Sequence, residues 1–424
     1  ILELLEIRSD RMEDIRINLP DDVRRIIKTI EDNGYEAYAV GGCVRDSILG
    51  RNPDDWDITT SARPEQIQSF FKKTIDTGIK HGTVTVMMNH TGYEVTTYRI
   101  DGEYKDGRHP ESVEFSAKLV DDLKRRDFTI NAMAYNESNG FVDEFNGIED
   151  LNNHVIRCVG NPIERFSEDA LRMMRAIRFS AQLGFDIDSK TYAAIVELAP
   201  AIRQVSMERV QVELAKTIMS DNPFYVKQYE QTGLLRENLS YMDEILSGKL
   251  VKNAMAMLKY APKSTVLRYA AIFNMGEPDR VKAELKALKL DNYTVDTVTK
   301  LVAYSKDTIE ENEPAVREAV HKYGKELLAL MFENEEARIN TKEEIVGISL
   351  NSQRLHLNRI KKMYEDIISR GDCISVKDLD ITGNDLMEYG LSGVQIGKTL
   401  NELLHIVIEN PKLNEKSTLL AMIE

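Results

Sequence analysis

The sequence predicts an α+β chain, with an N-terminal α/β head on a small mixed sheet followed by a long all-α region. Three observations carry this reading. Thr83 to Met88 and Tyr93 to Arg99 alternate apolar and polar residues around a break at Asn89 to Gly92, the pattern of paired strands. A short apolar segment, Tyr38 to Val40, runs into Gly41-Gly42 and then into a short helix. Beyond residue 160 strand signals nearly vanish, and helical periodicity over 163–183, 188–198, 206–219, 222–230 and onward reaches the C-terminus without a fixed repeat. The 424 residues exceed one compact core and predict about two to four domains. The expected divisions are an N-terminal extension (1–20), a head (21–155), a helical neck (156–240), a helical body (241–345) and a helical tail (346–424).

Composition narrows the class. The cysteines Cys43, Cys158 and Cys373 form no close pair, so neither a zinc spacing nor a disulfide framework is expected, which fits a reducing cytoplasm. No window approaches about eighteen apolar residues and the N-terminus lacks a signal-peptide layout, so no membrane association is expected. A net charge of −15 argues against a chain basic throughout; nucleic acid would have to meet a local basic stripe.

The elements follow in order. Asp21 through Ile30 read as a helix ending at Asn33-Gly34. The stretch from Ala39 to Thr60 organises the head. Gly41-Gly42 at a strand-to-helix turn brings backbone N–H groups close to a ligand, a phosphate-cradling arrangement. The helix carries Arg45 and Asp46, with Gly50 as its C-cap. A second strand is expected to carry Asp55, Trp56 and Asp57, with both carboxylates on one face. Neighbouring carboxylates repel, and a divalent cation between them relieves the cost. A phosphate cradle beside paired carboxylates points to chemistry at a nucleoside triphosphate. Pro64 opens a short helix over Glu65 to Lys72, and Glu94 lies in the second strand of the hairpin. Ile100 to Ser112, containing Asp106, Gly107 and Arg108, is charged and aperiodic and reads as a loop.

Gly-Gly-x-x-Arg-Asp followed by Asp-x-Asp resembles the signature of the polymerase β-type nucleotidyltransferases, and more narrowly of the class II CCA-adding enzymes and bacterial poly(A) polymerases. The resemblance is strong over about residues 30 to 240 and fainter in the tail, at Ile381-Thr-Gly-Asn-Asp-Leu and Gly393-Val-Gln-Ile-Gly397. It implies a two-metal Mg²⁺ mechanism on Asp55 and Asp57, with CTP and ATP as substrates. By pattern alone Glu94 reads equally well as an exposed strand position; the resemblance makes it a base for the primer hydroxyl. Arg125-Arg126-Asp127-Phe128-Thr129-Ile130-Asn131, about seventy residues after the first signature, resembles the family's ribose-recognition motif. Arg126, Asp127 and Asn131 are then expected at the sugar and phosphates.

A third signature, Glu168-Asp169-Ala170-Leu171-Arg172-Met173-Met174-Arg175-Ala176-Ile177-Arg178, reads by periodicity as an amphipathic helix with an Arg-rich face. The face is either merely solvated or, by resemblance, a reader of the incoming base. Adenine and cytosine both present an amino donor beside a ring-nitrogen acceptor. Asp169 only accepts and Arg172 only donates, so the pair suits those two bases and mismatches guanine and uracil. Such a site rejects the wrong pattern by up to roughly 10⁴-fold. Arg175 and Arg178 are expected to point toward the triphosphate. Ser206 to Leu214, with Glu208, Arg209 and Glu213, resembles the helix that closes the neck or else simply packs.

The implied activity is template-independent addition of C, C and A to tRNA 3′ ends. A-adding enzymes, poly(A) polymerases and a non-catalytic RNA-binding protein of the same fold stand as alternatives. The complete loop at Asp106-Gly107-Arg108 disfavours a CC-only relative, and retention of Asp55 and Asp57 disfavours a non-catalytic one. Arg354, Arg359, Lys361 and Lys362 form the clearest basic cluster of the helical half, either a solvated face or a contact for the tRNA acceptor arm. No obligatory protein partner is evident.

Overall fold

The computed structural model describes residues 15–102, 113–304 and 308–423. Contacts divide the chain into two compact units, Ile1–Ser240 and Tyr241–Glu424.

The first unit begins with α1 (Asp21–Asp32), whose buried Val23, Ile26, Ile27 and Ile30 recur at helical spacing. The strands are β1 (Ala37–Val40), β2 (Ile58–Thr60), β3 (Thr74–Gly78), β4 (Thr83–Met88), β5 (Thr91–Thr97), β6 (Arg99–Asp101), β7 (Val113–Phe115), β8 (Met133–Asn136), β9 (Gly140–Asp143), β10 (Val155–Ile156) and β11 (Asp186–Ile187). Seven of them form one sheet in the order β3-β4-β5-β2-β1-β8-β9. It is mixed: β2 and β5 run parallel, while β1 is antiparallel to both of its neighbours. Every residue of β1 is buried, as its central place requires. The hairpin β4-β5 is tighter than its sequence suggests. Asn89 and His90, at φ 45° and 69°, make a two-residue turn, and Thr91 already belongs to the strand. Periodicity does not announce β3, β8 or β9. All four residues of β8 are buried, so its strand character is hidden in a continuous run.

Two expectations near the site are corrected. The second strand begins at Ile58, so Asp55 and Asp57 precede it instead of sitting within it. The ladder with β1 covers only Ala37 to Ala39, because the chain then turns away at Gly41. Asp57 keeps one backbone link, its carbonyl accepting from Val40 N at 3.0 Å. The helix expected over 163–183 is two helices, Pro162–Glu168 and Leu171–Leu183. Asp169 breaks them with φ −146° and ψ 105°, and its Oδ1 accepts from Leu171 N at 3.0 Å. A short acceptor side chain that satisfies an open N–H competes with helix continuation and acts as a cap.

The other helices of this unit are placed by cap residues and the sheet. Gly42–Ile48 follows β1, Pro64–Phe70 follows β2, Leu119–Lys124 follows β7, and Gly147–Asn152 follows β9. Ser189–Leu198 is capped by Asp188, and Met207–Ile218 packs on Leu171–Leu183. Tyr38, Val40, Tyr98, Leu123, Ala132, Ala134 and Val159 bury one face of the sheet.

The second unit is helical throughout its described residues, from Ser240–Ser247 to Lys416–Ala421. Its C-terminal part has its own core, built on Leu386, Leu403, Leu404, Val407, Ile408 and Leu419. Among the described residues no helix is long and apolar enough to cross a membrane.

Candidate active site

The carboxylates meet because of register. β2 pairs with β5 at Ile58↔Val95, so the residue before Ile58 runs alongside Glu94. Asp55, Asp57 and Glu94 keep access to solvent. Surrounding protein nonetheless desolvates Asp57 and raises its pKa; Arg126 opposes this and Asp55 adds to it. Glu94 is raised too, first by desolvation and then by Asp57 and Asp55. Burial is the main cause at both groups, and their mutual repulsion adds to it. Among the described residues no three His, Cys, Asp or Glu side chains converge closely enough to enclose a metal. An oxygen pair with room left for water and phosphate suits Mg²⁺, which uses one or two carboxylates and the substrate's own oxygens.

A polar network joins the first two signatures to the third. Gly41 adopts φ 85°, ψ −131°, a conformation that calls for glycine, and a Cβ there would meet Arg126 Nη1 at 2.9 Å and push that side chain aside. Gly42 opens the following helix and would place a Cβ 3.6 Å from Arg45 Nη2, an ordinary contact. Arg45 is gripped by Asp46 at 2.8–2.9 Å and donates from Nη1 to Asn131 Oδ1 at 2.6 Å. Asn131 Nδ2 donates to Asp127 Oδ1 at 3.2 Å, and Arg175 donates to Asp127 Oδ2 from Nε at 2.7 Å and from Nη2 at 2.6 Å. Burial alone would raise Asp127, but Arg175, Arg172 and these hydrogen bonds hold it down at about 2. Asp122 anchors the paired arginines: fully buried, it takes Arg125 at 2.7 Å and Arg126 at 3.3 Å. Its position three and four residues before them is a helical spacing that sequence reading could have used.

The third signature departs from the expected geometry. Because the helix starts after Asp169, Asp169 and Arg172 do not lie on successive turns of one helix. Asp169 Oδ2 accepts from Arg209 Nη2 at 2.7 Å, and Oδ1 takes Arg209 Nη1 at 3.3 Å. Arg172 binds Glu168 and donates to the carbonyls of Arg165 at 3.1 Å and Arg125 at 3.2 Å. Arg175 reaches Asp127, whereas Arg178 is buried, bound to Glu213 and to Gln182 Oε1. Arg209 and Glu213 thus come from the helix whose sequence read equally well as plain packing.

Elsewhere, Asp106, Gly107 and Arg108 lie outside the described residues. The basic cluster is paired in place: Arg354 with Glu343 at 2.7 Å, Arg359 with Glu311 at 2.7 Å, Lys361 with Glu336, and Lys362 with Asp366 at 3.8 Å. Cys43, Cys158 and Cys373 are free and buried.

A head of this topology, with carboxylates where the interior strands β2 and β5 run side by side and an arginine-rich cradle joined to the first signature, defines the nucleotidyltransferase class. Residues 37–157 match the family described as "Poly A polymerase head domain", 184–246 the one described as "Probable RNA and SrmB- binding site of polymerase A", and 262–423 the one described as "tRNA nucleotidyltransferase domain 2 putative". The CCA-adding enzyme of Levilactobacillus brevis is 37% identical over 414 residues, covering 96% of this chain and 98% of that protein. The CCA-adding enzyme of Enterococcus faecalis is 36% identical over 411 residues, covering 93% of each. The Bacillus stearothermophilus CCA-adding enzyme, solved in complex with CTP, superposes with a TM-score of 0.73 at 31% identity, over 94% of this chain and 95% of that one. The chain belongs to the family of class II CCA-adding enzymes.

Proposed function

We propose that this protein adds C, C and A to the 3′ end of tRNA from CTP and ATP, without a nucleic-acid template, releasing pyrophosphate. One observation carries the reading: the contacts Arg45–Asn131–Asp127–Arg175 join all three signatures beside Asp55, Asp57 and Glu94. Gly41, Gly42, Arg45, Arg126 and Arg175 hold the triphosphate, Asp127 and Asn131 set the sugar, and Asp169 and Arg172 choose the base. Arg178 supports this set from its buried position. Asp55 and Asp57 hold Mg²⁺, which when bound activates the attacking oxygen and stabilises the leaving group.

In the reaction the primer 3′ oxygen attacks the α-phosphorus, its proton passes to Glu94, and the bond to pyrophosphate breaks. A raised carboxylate pKa makes Glu94 a better acceptor for that proton. Asp169 Oδ2, which accepts from Arg209 Nη2, retains a lone pair for the amino group of C or A. Arg172 must exchange Glu168 for the ring acceptor, so reading the base breaks one ion pair and makes another. The head spans residues 21–155, the neck 156–240, the body 241–345 and the tail 346–424. The body and tail carry the acceptor arm by backbone and shape, with Arg354, Arg359, Lys361 and Lys362 exchanging acidic partners for phosphate.

The test uses tRNA transcripts ending before CCA, after C and after CC, with Mg²⁺ and each nucleotide singly, then CTP plus ATP. Completed CCA, with GTP and UTP inert, is expected. Addition of A alone to the third transcript moves the protein to the A-adding branch. Long A tails on unrelated RNA move it to the poly(A) branch. No incorporation with tRNA bound refutes catalysis.

A further inference from the structure

Phe179, on the helix Leu171–Leu183, does more than fill space. It is 6% exposed, and it meets Phe128 edge-on at 5.8 Å and 79°. Those features alone describe an ordinary core aromatic. The cations around it do not. The guanidinium carbons of Arg178, Arg45 and Arg175 lie 3.8, 5.1 and 5.4 Å from its ring centre. A cation–π contact needs a separation within about 6 Å and occurs roughly once per 70–80 residues. Here three gather on one ring from two helices that are remote in sequence.

The charge balance explains why such a ring is useful. Each of the three arginines has a carboxylate partner: Asp46 for Arg45, Asp127 for Arg175 and Glu213 for Arg178. A carboxylate consumes the in-plane N–H donors that a phosphate needs. A ring attracts the guanidinium through its π face and consumes none of them. Aromatic attraction therefore holds like charges together without taking any of the N–H donors that these carboxylates leave over. The crowding is real: burial lowers the pKa of Arg178 and the nearby Arg175 lowers it further, against the pull of Glu213.

We propose that Phe179 is a positioning residue for triphosphate binding, its ring gathering Arg45 and Arg175 into one anion cradle with the buried Arg178 behind them. This rests on the assignment of Arg45 and Arg175 to the triphosphate, with Arg178 supporting them. It predicts that the electron density of the ring, not only its volume, sets affinity for the phosphate chain and leaves the base choice untouched.

The test replaces Phe179 in the full chain by mono-, di- and trifluorinated phenylalanine, which keep the shape while draining the ring face. Dissociation constants are read for CTP, ATP and inorganic tripolyphosphate, with cytidine as the phosphate-free control. All three phosphate ligands are expected to weaken stepwise, by about 5- to 30-fold at the trifluoro ring, with cytidine unchanged. A flat series, or an equal loss for cytidine, overturns the proposal. In Phe179→Leu the KM for CTP and ATP is expected to rise together with kcat within a few-fold; a fall in kcat at constant KM also overturns it. If the Leu variant does not fold, the fluorinated series still decides. Binding is read without tRNA, so a failure to extend tRNA refutes the proposed function without touching this result.

Discussion

Arg209→Ala isolates the support beneath the base reader. Arg209 grips Asp169 through two N–H donors, at 2.7 and 3.3 Å, and these side chains are 22% and 14% exposed. A hydrogen bond to a charged group is worth about 1.5–3 kcal/mol net. The longer contact and partial exposure place this pair near the lower end, about 1.5 kcal/mol. If Asp169 must be held to accept the amino group of the base, that energy is lost in the transition state. The expected fall in kcat/KM for C and A is then roughly tenfold. Discrimination suffers as well, because an unheld carboxylate rotates and no longer imposes its pattern on G and U. The assay is single-nucleotide addition, of C to a tRNA ending before CCA and of A to one ending in CC, with kcat/KM for GTP and UTP measured on both. Arg209→Lys, which keeps the charge and loses the two-pronged geometry, should fall between wild type and Ala. An Ala variant with wild-type selectivity, or one whose losses are equal for all four nucleotides, refutes the reasoning.

Other outcomes follow from the same geometry. Asp57→Asn should abolish transfer and also stabilise the Mg²⁺-free protein at neutral pH. The raised pKa of Asp57 means its ionised form opposes folding; that penalty is absent below the ordinary carboxylate range and appears as pH rises through the folded pKa. Urea titrations at several pH values would show the two proteins converging in acid. The Mg²⁺ needed for half-maximal rate should rise as pH falls, because protons compete with the metal for Asp57. A requirement unchanged with pH counts against Asp57 as a ligand. Asp127→Asn has the opposite sign: a folded pKa of about 2 lies below the unfolded value, so its stabilisation is full above that value and lost as pH falls toward 2. The variant should be about 2 kcal/mol less stable at neutral pH, with the gap narrowing below about pH 4 in denaturant titrations. Gly41→Ala forces a side chain into a glycine-only conformation against Arg126 Nη1, costing about 1–3 kcal/mol and raising the KM for both nucleotides; an unchanged melting midpoint would contradict it.

The sequence by itself determined the fold class, the family and the chemical types at the site. These are local properties: glycines where the backbone must turn, carboxylates where a cation is wanted, and acceptor and donor side chains chosen to match two bases. Which side chains meet was decided by tertiary structure. Asp55 and Asp57 lie before the strand because β1 turns at Gly41 and ends the ladder. Asp169 sits outside the helix because its carboxylate caps Leu171 N, an outcome that 3.6-residue periodicity cannot register. The partners of Arg209 and Glu213 stayed hidden because a charge within an amphipathic helix looks the same whether it faces water or a partner. Arg209 meets Asp169 from 40 positions away, and Glu213 meets Arg178 from 35. Such pairs arise only when Met207–Ile218 packs on Leu171–Leu183, since long-range ion pairing follows packing and leaves no period in the chain.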